Sequence, residues 1–233
     1  MVYRKLKIFQ HFLKKITPNS KEENLIVAGW PASGSTFIYQ ILKGIGQHPI
    51  KDHGYYNGKF KLQFFTIRDP RDIITSNARR VSSKIINSHG IEKALCNELD
   101  RFMNDEYQYI NSYYKAQKCQ KTIILKYEDF FIGKEVYLVN LLLNKLTLKM
   151  TQTEILNMIE CHSIENNKKT ANKLQDFKYW DEYTYIHGNH ITNNGLSSAW
   201  KHHFTKNFAN ICNMNIGRLL IELGYEKDNN WSI

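Results

Sequence analysis

With 233 residues, 42% of them hydrophobic and 13% aromatic, the chain has room for one domain with a substantial core, and none of its apolar runs approaches the roughly 18 residues that cross a bilayer. A formal net charge of +10 favours a polyanionic ligand or an acidic substrate, but the basic residues are scattered and neither an aromatic RNA-binding strand nor a Cys/His finger is present, so no nucleic-acid partner is expected. Cys96, Cys119, Cys161 and Cys212 are widely spaced without a Cys-x-x-Cys pair, and they read as reduced thiols in a cytoplasmic protein.

Residues 1–20 open with a basic amphipathic stretch, Met1 to Ile16, in which Lys and His interrupt the apolar positions and no small-residue cleavage site follows. This is the pattern of a basic helix docked on the domain rather than a signal peptide, and no stable membrane insertion is expected. Next comes Leu25-Ile-Val-Ala-Gly-Trp-Pro-Ala-Ser-Gly-Ser-Thr-Phe37, where a β-type apolar run breaks into a Gly/Ser/Thr loop that opens a helical pattern. The first amides of a helix lack intrahelical partners and lie at the positive end of its dipole, so this layout is a cradle for phosphate or sulfate. A ligand-free strand-to-helix turn is the competing reading. Gly29-x-x-x-x-Gly34 has Walker A spacing, but Ser35 stands where that motif requires Lys.

Farther along, Gln47 to Gly54 reads as a short strand with a polar tip, and Leu62-Gln-Phe-Phe-Thr-Ile67 as a buried strand followed at once by Arg68-Asp-Pro-Arg-Asp72. Asp69 as N-cap and Pro70 in the first turn start a helix there. A long helix is predicted over about 91–117, a strand over 121–126, and helices over roughly 135–146, 153–166 and 206–223. Between the last two, residues 166–194 are polar and rich in Asn, Lys and Tyr, which predicts a long loop over the active site. Apolar strands alternating with helices predict a single α/β domain spanning 1–233, with a mostly parallel central sheet and helices on both faces. In such a sheet ligands bind at the carboxyl ends of the strands, so residues 30–36, 51–53, 68–72 and 127–129 are expected to meet at one edge.

These strand-end motifs resemble the family of sulfotransferases that use 3′-phosphoadenosine-5′-phosphosulfate (PAPS) and release PAP, over about Leu25 to Tyr225. The resemblance implies a P-loop-like fold and sulfuryl transfer to a hydroxyl or amine without a metal. Pro31-Ala-Ser-Gly-Ser-Thr-Phe37 is similar to the family's Pro-Lys-Ser-Gly-Thr-Thr-Trp loop, which makes Ala32, Ser33, Gly34, Ser35 and Thr36 the 5′-side cradle and Phe37 the aromatic that packs on adenine. Arg68 and Ser76, eight residues on, match the pair that holds the 3′-phosphate, a fork of donors beside a hydroxyl. Tyr127-Glu-Asp-Phe130 is similar to the family's Tyr-Glu-Asp-Leu/Met, whose Tyr reaches the adenine edge, and Ser163 is a looser match to another adenine contact. Asn193-Asn194-Gly195 and Trp200 resemble the loop that closes over the 3′-phosphate, with two Asn in place of Arg-Lys.

Lys51-Asp52-His53 occupies the place of the family's Lys-Thr-His, so His53 is the expected base, its neutral imidazole suited to taking a hydroxyl proton near pH 7. Lys51 would then supply charge to the leaving phosphate. That cation matters because Ala32 stands where the family most often has Lys or Arg. Two other readings follow from these departures: a P-loop nucleoside or small-molecule kinase, weakened by Ser35, and a non-catalytic nucleotide-binding protein of the same fold. His187 and His190 lack a third ligand and carry no metal reading. The acceptor, a small molecule or carbohydrate, is expected against residues 53–60, 80–91 and 168–190, whose Tyr, Lys and His suit a polar or anionic partner without distinguishing a sugar from a phenol. The family's dimer segment has Val and Glu where Lys206 and Asn210 stand, so the sequence assigns no oligomeric state.

Overall fold

In the computed structural model, residues 24–81, 83–174, 176–188, 191 and 195–231 are described; the predicted N-terminal helix, His190, Asn193 and Asn194 lie outside them. Four parallel strands form the sheet in the order β2-β1-β3-β4, with β1 at Leu25–Gly29, β2 at Ile50–Lys51, β3 at Leu62–Ile67 and β4 at Thr122–Lys126. The two central strands are covered on both faces; β1 is correspondingly apolar along its whole length, and β3 is apolar but for the buried Gln63 and Thr66. Alternation along β1 and β3 divides the core: Ile26, Ala28 and Phe65 face one layer, Val27 and Phe64 the other.

Helix α1, Ser35–Gly44, follows β1 and is buried over its first eight residues, so it serves as the central prop of the second layer. Helix α2, Pro70–Val81, begins as the sequence predicts: Pro70 occupies the first turn and the Asp69 carboxylate accepts the Arg71 amide at 2.9 Å. Helix α3, Ser83–Lys118, is two helical pieces separated at Gly90, whose φ of 81° lies in the left-handed region. A Cβ there would touch nothing within 4 Å, so conformation rather than packing calls for glycine. Beyond β4 come the single turn α4, Tyr127–Phe130, then α5, Glu135–Lys145, and α6, Gln152–Cys161, which opens on a capping box made by Thr151 and Glu154. A 3₁₀ turn at Ala199–His202 leads into α8, Lys206–Glu222, which packs beside α2 and α3 on the first layer. Among the described residues no helix is long and apolar enough to cross a membrane.

The structure corrects the reading of residues 153–194. One helix over 153–166 and a loop beyond it give way to α6, a break at His162 and Ser163, and a further helix, α7, at Ile164–Leu174. Helix α7 buries a polar anchor: Asn167 exchanges amide hydrogen bonds of 3.0 and 3.1 Å with Gln40 of α1, and Gln40 also donates to the Thr184 carbonyl at 2.9 Å. A helix that is polar overall and places an amide on its buried face offers few apolar residues to mark its period, which is why its composition reads as loop. Residues 179–188 then fold back as a tight turn, with Asp181 accepting from the Thr184 amide and Gly188 donating to the Tyr179 carbonyl.

Candidate active site at the carboxyl edge of the sheet

The loop leaving β1 is shaped by contact with β3. Gly29 has a φ of 146° and a side chain there would collide with Thr66, while the Trp30 amide donates to the Thr66 carbonyl at 2.9 Å. Ala32 is left-handed at φ 54°, and Gly34, at φ 85°, caps α1. A Cβ on Gly34 would stand 3.0 Å from the Tyr127 ring and about as close to Phe130. This tight approach aims the first amides of α1 into a cavity of about 440 Å³.

The cavity gathers Ala32, Gly34, Ser35, Thr36 and Phe37 from this loop and the start of α1, Lys51 and His53 from the end of β2, Arg68 from the end of β3, Ser76 from α2, and Tyr127 and Gly195. Two of the predicted residues are placed otherwise. The Ser33 hydroxyl is fully buried and turned inward, bonding the Trp30 carbonyl and the Thr66 hydroxyl. Ser163 stands at the start of α7, where its hydroxyl accepts the Asn166 amide at 3.4 Å, and its neighbour Ile164 lines the cavity instead.

Arg68 is a hub. Its guanidinium donates to the Ala32 carbonyl at 3.0 Å and to the Leu196 carbonyl at 2.9 Å, lies 3.4 Å from Asp72, and covers the Tyr127 ring at 4.2 Å. Only its buried Nε is without a partner. Asp72 completes the tie by accepting the Ser198 amide at 2.8 Å and the Trp200 amide at 3.1 Å; burial holds its carboxyl above the usual range, with Arg68 opposing that shift. Below it, Arg71 pairs with Asp69 at 2.7 Å and stacks on Trp200 at 4.0 Å. The Arg-Asp-Pro-Arg-Asp motif therefore forms a buried ionic hub that fastens the 195–200 loop.

Tyr127 donates to the Gly195 carbonyl at 2.6 Å, and burial pushes its phenol well above its ordinary value. Phe131 stacks on Tyr127 at 4.6 Å and meets Phe37 edge-on at 5.2 Å, forming an aromatic shelf. Gly195 has a φ of 70°, and a Cβ there would lie under 3 Å from Ile164, Phe131 and the Tyr127 hydroxyl, so only glycine closes this corner.

At the opposite end stand the cations. Burial lowers the Lys51 ammonium from its ordinary 10.5 to about 8, with its Nζ 5.5 Å over the Tyr185 ring. Burial, with Lys51 next, depresses the His53 imidazole, which favours the neutral form at pH 7. Arg80, one turn beyond Ser76, donates to the Asn77 side chain at 3.0 Å, covers Phe177 at 4.8 Å and leaves its Nε without a partner. Among the described lining residues there is no carboxylate.

The fold has counterparts of known structure. Mouse sulfotransferase SULT7A1, solved in complex with PAP, superposes with a TM-score of 0.59 at 12% identity, over 92% of this chain and 93% of that one. Retinol dehydratase, solved with androsterone and the inactive cofactor PAP, superposes with a TM-score of 0.62 at 12% identity, over 84% and 80% of the two chains. The chain has a sulfotransferase fold. No family model and no curated protein sequence matches it, so the likeness resides in the fold of the backbone. In this sulfotransferase-fold cavity, sequence reasoning overlooked Phe131 and Ile164. Phe131 directly follows the Tyr-Glu-Asp-Phe motif and was visible as an aromatic; Ile164 reaches the cavity only through the fold of residues 164–188. Within the stretch expected to lie over the site, Asn167, Phe177, Ile186, His187 and Ile191 line the cavity.

Proposed function

We propose that the chain is a sulfotransferase that moves the sulfuryl group of PAPS to a hydroxyl or amine, with His53 as general base. The observation that carries this reading is the meeting, in one cavity with no carboxylate among its described lining residues, of a helix-terminal anion cradle, an aromatic shelf, an imidazole and a buried ammonium. PAPS supplies an activated sulfur: an acceptor O–S bond forms as the sulfur–oxygen bond to the 5′-phosphate breaks, the electron pair staying on that phosphate oxygen.

The residues present fit such a ligand. Gly34 leaves room where a Cβ would crowd the shelf, and the amides opening α1 supply donors for the 5′ end. Phe37, Phe131 and Tyr127 offer rings for a base. Ser76 and Arg68 line the cavity where a 3′-phosphate would lie, while the Arg68 guanidinium also positions the loops at Ala32 and Leu196. His53 takes the acceptor proton, and Lys51 holds positive charge where Ala32 supplies none. Asn194 belongs to the same proposed set. Because Ala32 cannot donate, nucleotide binding without turnover is the second reading, and label transfer from PAPS separates the two.

The test is thermal. PAP is expected to raise the melting temperature of the wild-type chain, and Arg68→Ala to abolish that rise. No rise with millimolar PAP or PAPS would defeat the proposal, as would stabilisation by ATP–Mg²⁺ exceeding that by PAP.

A further inference from the structure

A second cavity, about 490 Å³, opens on the other side of His53. His53 and Pro31 line both spaces, so the imidazole proposed as the base stands at their junction. The first cavity, about 440 Å³, is near the lower end of the roughly 300–1,000 Å³ that holds one drug-sized ligand; the proposed nucleotide would fill it, so an acceptor has to approach His53 from elsewhere.

The groove is built by the fold. One wall is the loop after β2, where Gly54 has a φ of 76° and a Cβ would lie 3.3 Å from the Ser112 hydroxyl of α3, so glycine lets loop and helix close at its base. The other wall is the last third of α3, pinned to the loop after β1 by the Trp30 indole, which donates to the Tyr109 carbonyl at 3.1 Å and packs 6.0 Å from the Tyr109 ring. The distance between this wall and His53 is thereby fixed.

Its chemistry is that of amides and hydroxyls. Asn57, Gln108, Asn111 and Ser112 face the groove beside Tyr55 and Tyr109, with Lys115 at the rim and Pro31 as the one aliphatic side chain. The side chains of Gln108, Asn111 and Ser112 take no hydrogen-bond partner among the described residues. Side-chain amides both donate and accept, which suits neighbouring hydroxyls, and tyrosine rings suit the C–H face of a sugar. An apolar acceptor would strip water from these groups and leave them unpaired, and such sites reject analogues that lack the matching polar atoms.

We infer that this groove is the acceptor subsite and that the acceptor is a carbohydrate whose hydroxyl reaches His53; the inference rests on the sulfuryl-transfer reading above. The hydroxyl oxygen bonds to sulfur, its proton passes to the imidazole, and the 5′-phosphate leaves with the electron pair.

The experiment supplies the full chain with ³⁵S-labelled PAPS and, as acceptors, an array of neutral and uronate-bearing oligosaccharides alongside 2-naphthol and androsterone. Label is expected in at least one oligosaccharide and in neither of the other two. For the best oligosaccharide, Gln108→Leu and Asn111→Leu are expected to raise KM at least tenfold while leaving the PAP-induced rise in melting temperature intact. Label in 2-naphthol or androsterone, label in no oligosaccharide while PAP still binds, or an unchanged KM in both variants overturns the inference. Absence of any PAP-induced rise instead defeats the sulfuryl-transfer reading, and this inference with it.

Discussion

Replacing Lys51 by Met is expected to stabilise the ligand-free protein at neutral pH. The ammonium is held in the cavity, where burial lowers its pKa from 10.5 to about 8. At about 1.36 kcal/mol per pH unit, the cost of keeping it charged is about 3 kcal/mol, an upper value because the cavity mouth admits water. Below pH 8 the ammonium is charged in both folded and unfolded chains, and the folded state bears the whole cost. Between pH 8 and 10.5 the folded chain binds fewer protons than the unfolded one, so wild-type stability rises relative to the variant, and above 10.5 the difference is gone. Melting curves of both proteins from pH 6 to 10.5 read this directly. A gain of about 3 kcal/mol corresponds to roughly 6–12 °C in a domain of this size. The gap should be widest below pH 8 and close near 10.5, and PAP should raise the melting temperature of the variant less than that of the wild type. A variant no more stable than wild type at pH 7, or a gap independent of pH, refutes the reasoning.

Four further outcomes follow from the same cavity. For the free enzyme, kcat/KM should rise with pH through a point below 6.5, as His53 with its depressed pKa loses a proton, and fall near pH 8 as Lys51 does; a profile flat from pH 5 to 9 contradicts both assignments. His53→Asn should lower kcat by about 10²–10⁴ with the PAP-induced stabilisation retained, and an undiminished kcat removes His53 from its role. Gly34→Ala, forced to φ 85° against the Tyr127 and Phe130 rings, should cost at least about 1–2 kcal/mol in denaturant titrations and weaken PAP binding; a neutral effect would mean that the loop relaxes freely. Ala32→Lys should tighten PAPS binding and raise turnover, since Ala32 already holds the left-handed φ of 54° without glycine; unchanged kinetics would show that Lys51 already supplies the charge needed.

Much of this site was legible because its signals are local. The strand of Leu25–Gly29, the Gly34 loop and the Asp69-Pro70 helix start lie within a few residues of the features that define them, and all four carboxyl-end segments meet as parallel topology requires. Arg68 was legible as a fork of donors, but not as a fork largely taken up by the Ala32 and Leu196 carbonyls, the latter 128 residues away. Ser33 sits amid cradle residues in the sequence, yet its hydroxyl turns to Thr66 because the loop crosses β3 there. Residues 164–174 read as loop because their composition is polar and the inward face of their helix carries Asn167, whose amide pair with Gln40 stands where an apolar residue would signal a helix.

The sequence by itself determined the α/β class, the order of strands and helices outside residues 153–194, and the meeting of the four strand-end segments at one edge, since backbone periodicity, caps and turn chemistry act over short spans of chain. Only the tertiary structure decided which donors remain unpartnered, how deeply Lys51 is buried, and that His53 stands between two cavities. Those properties depend on which distant segments meet, and on how much water their meeting excludes.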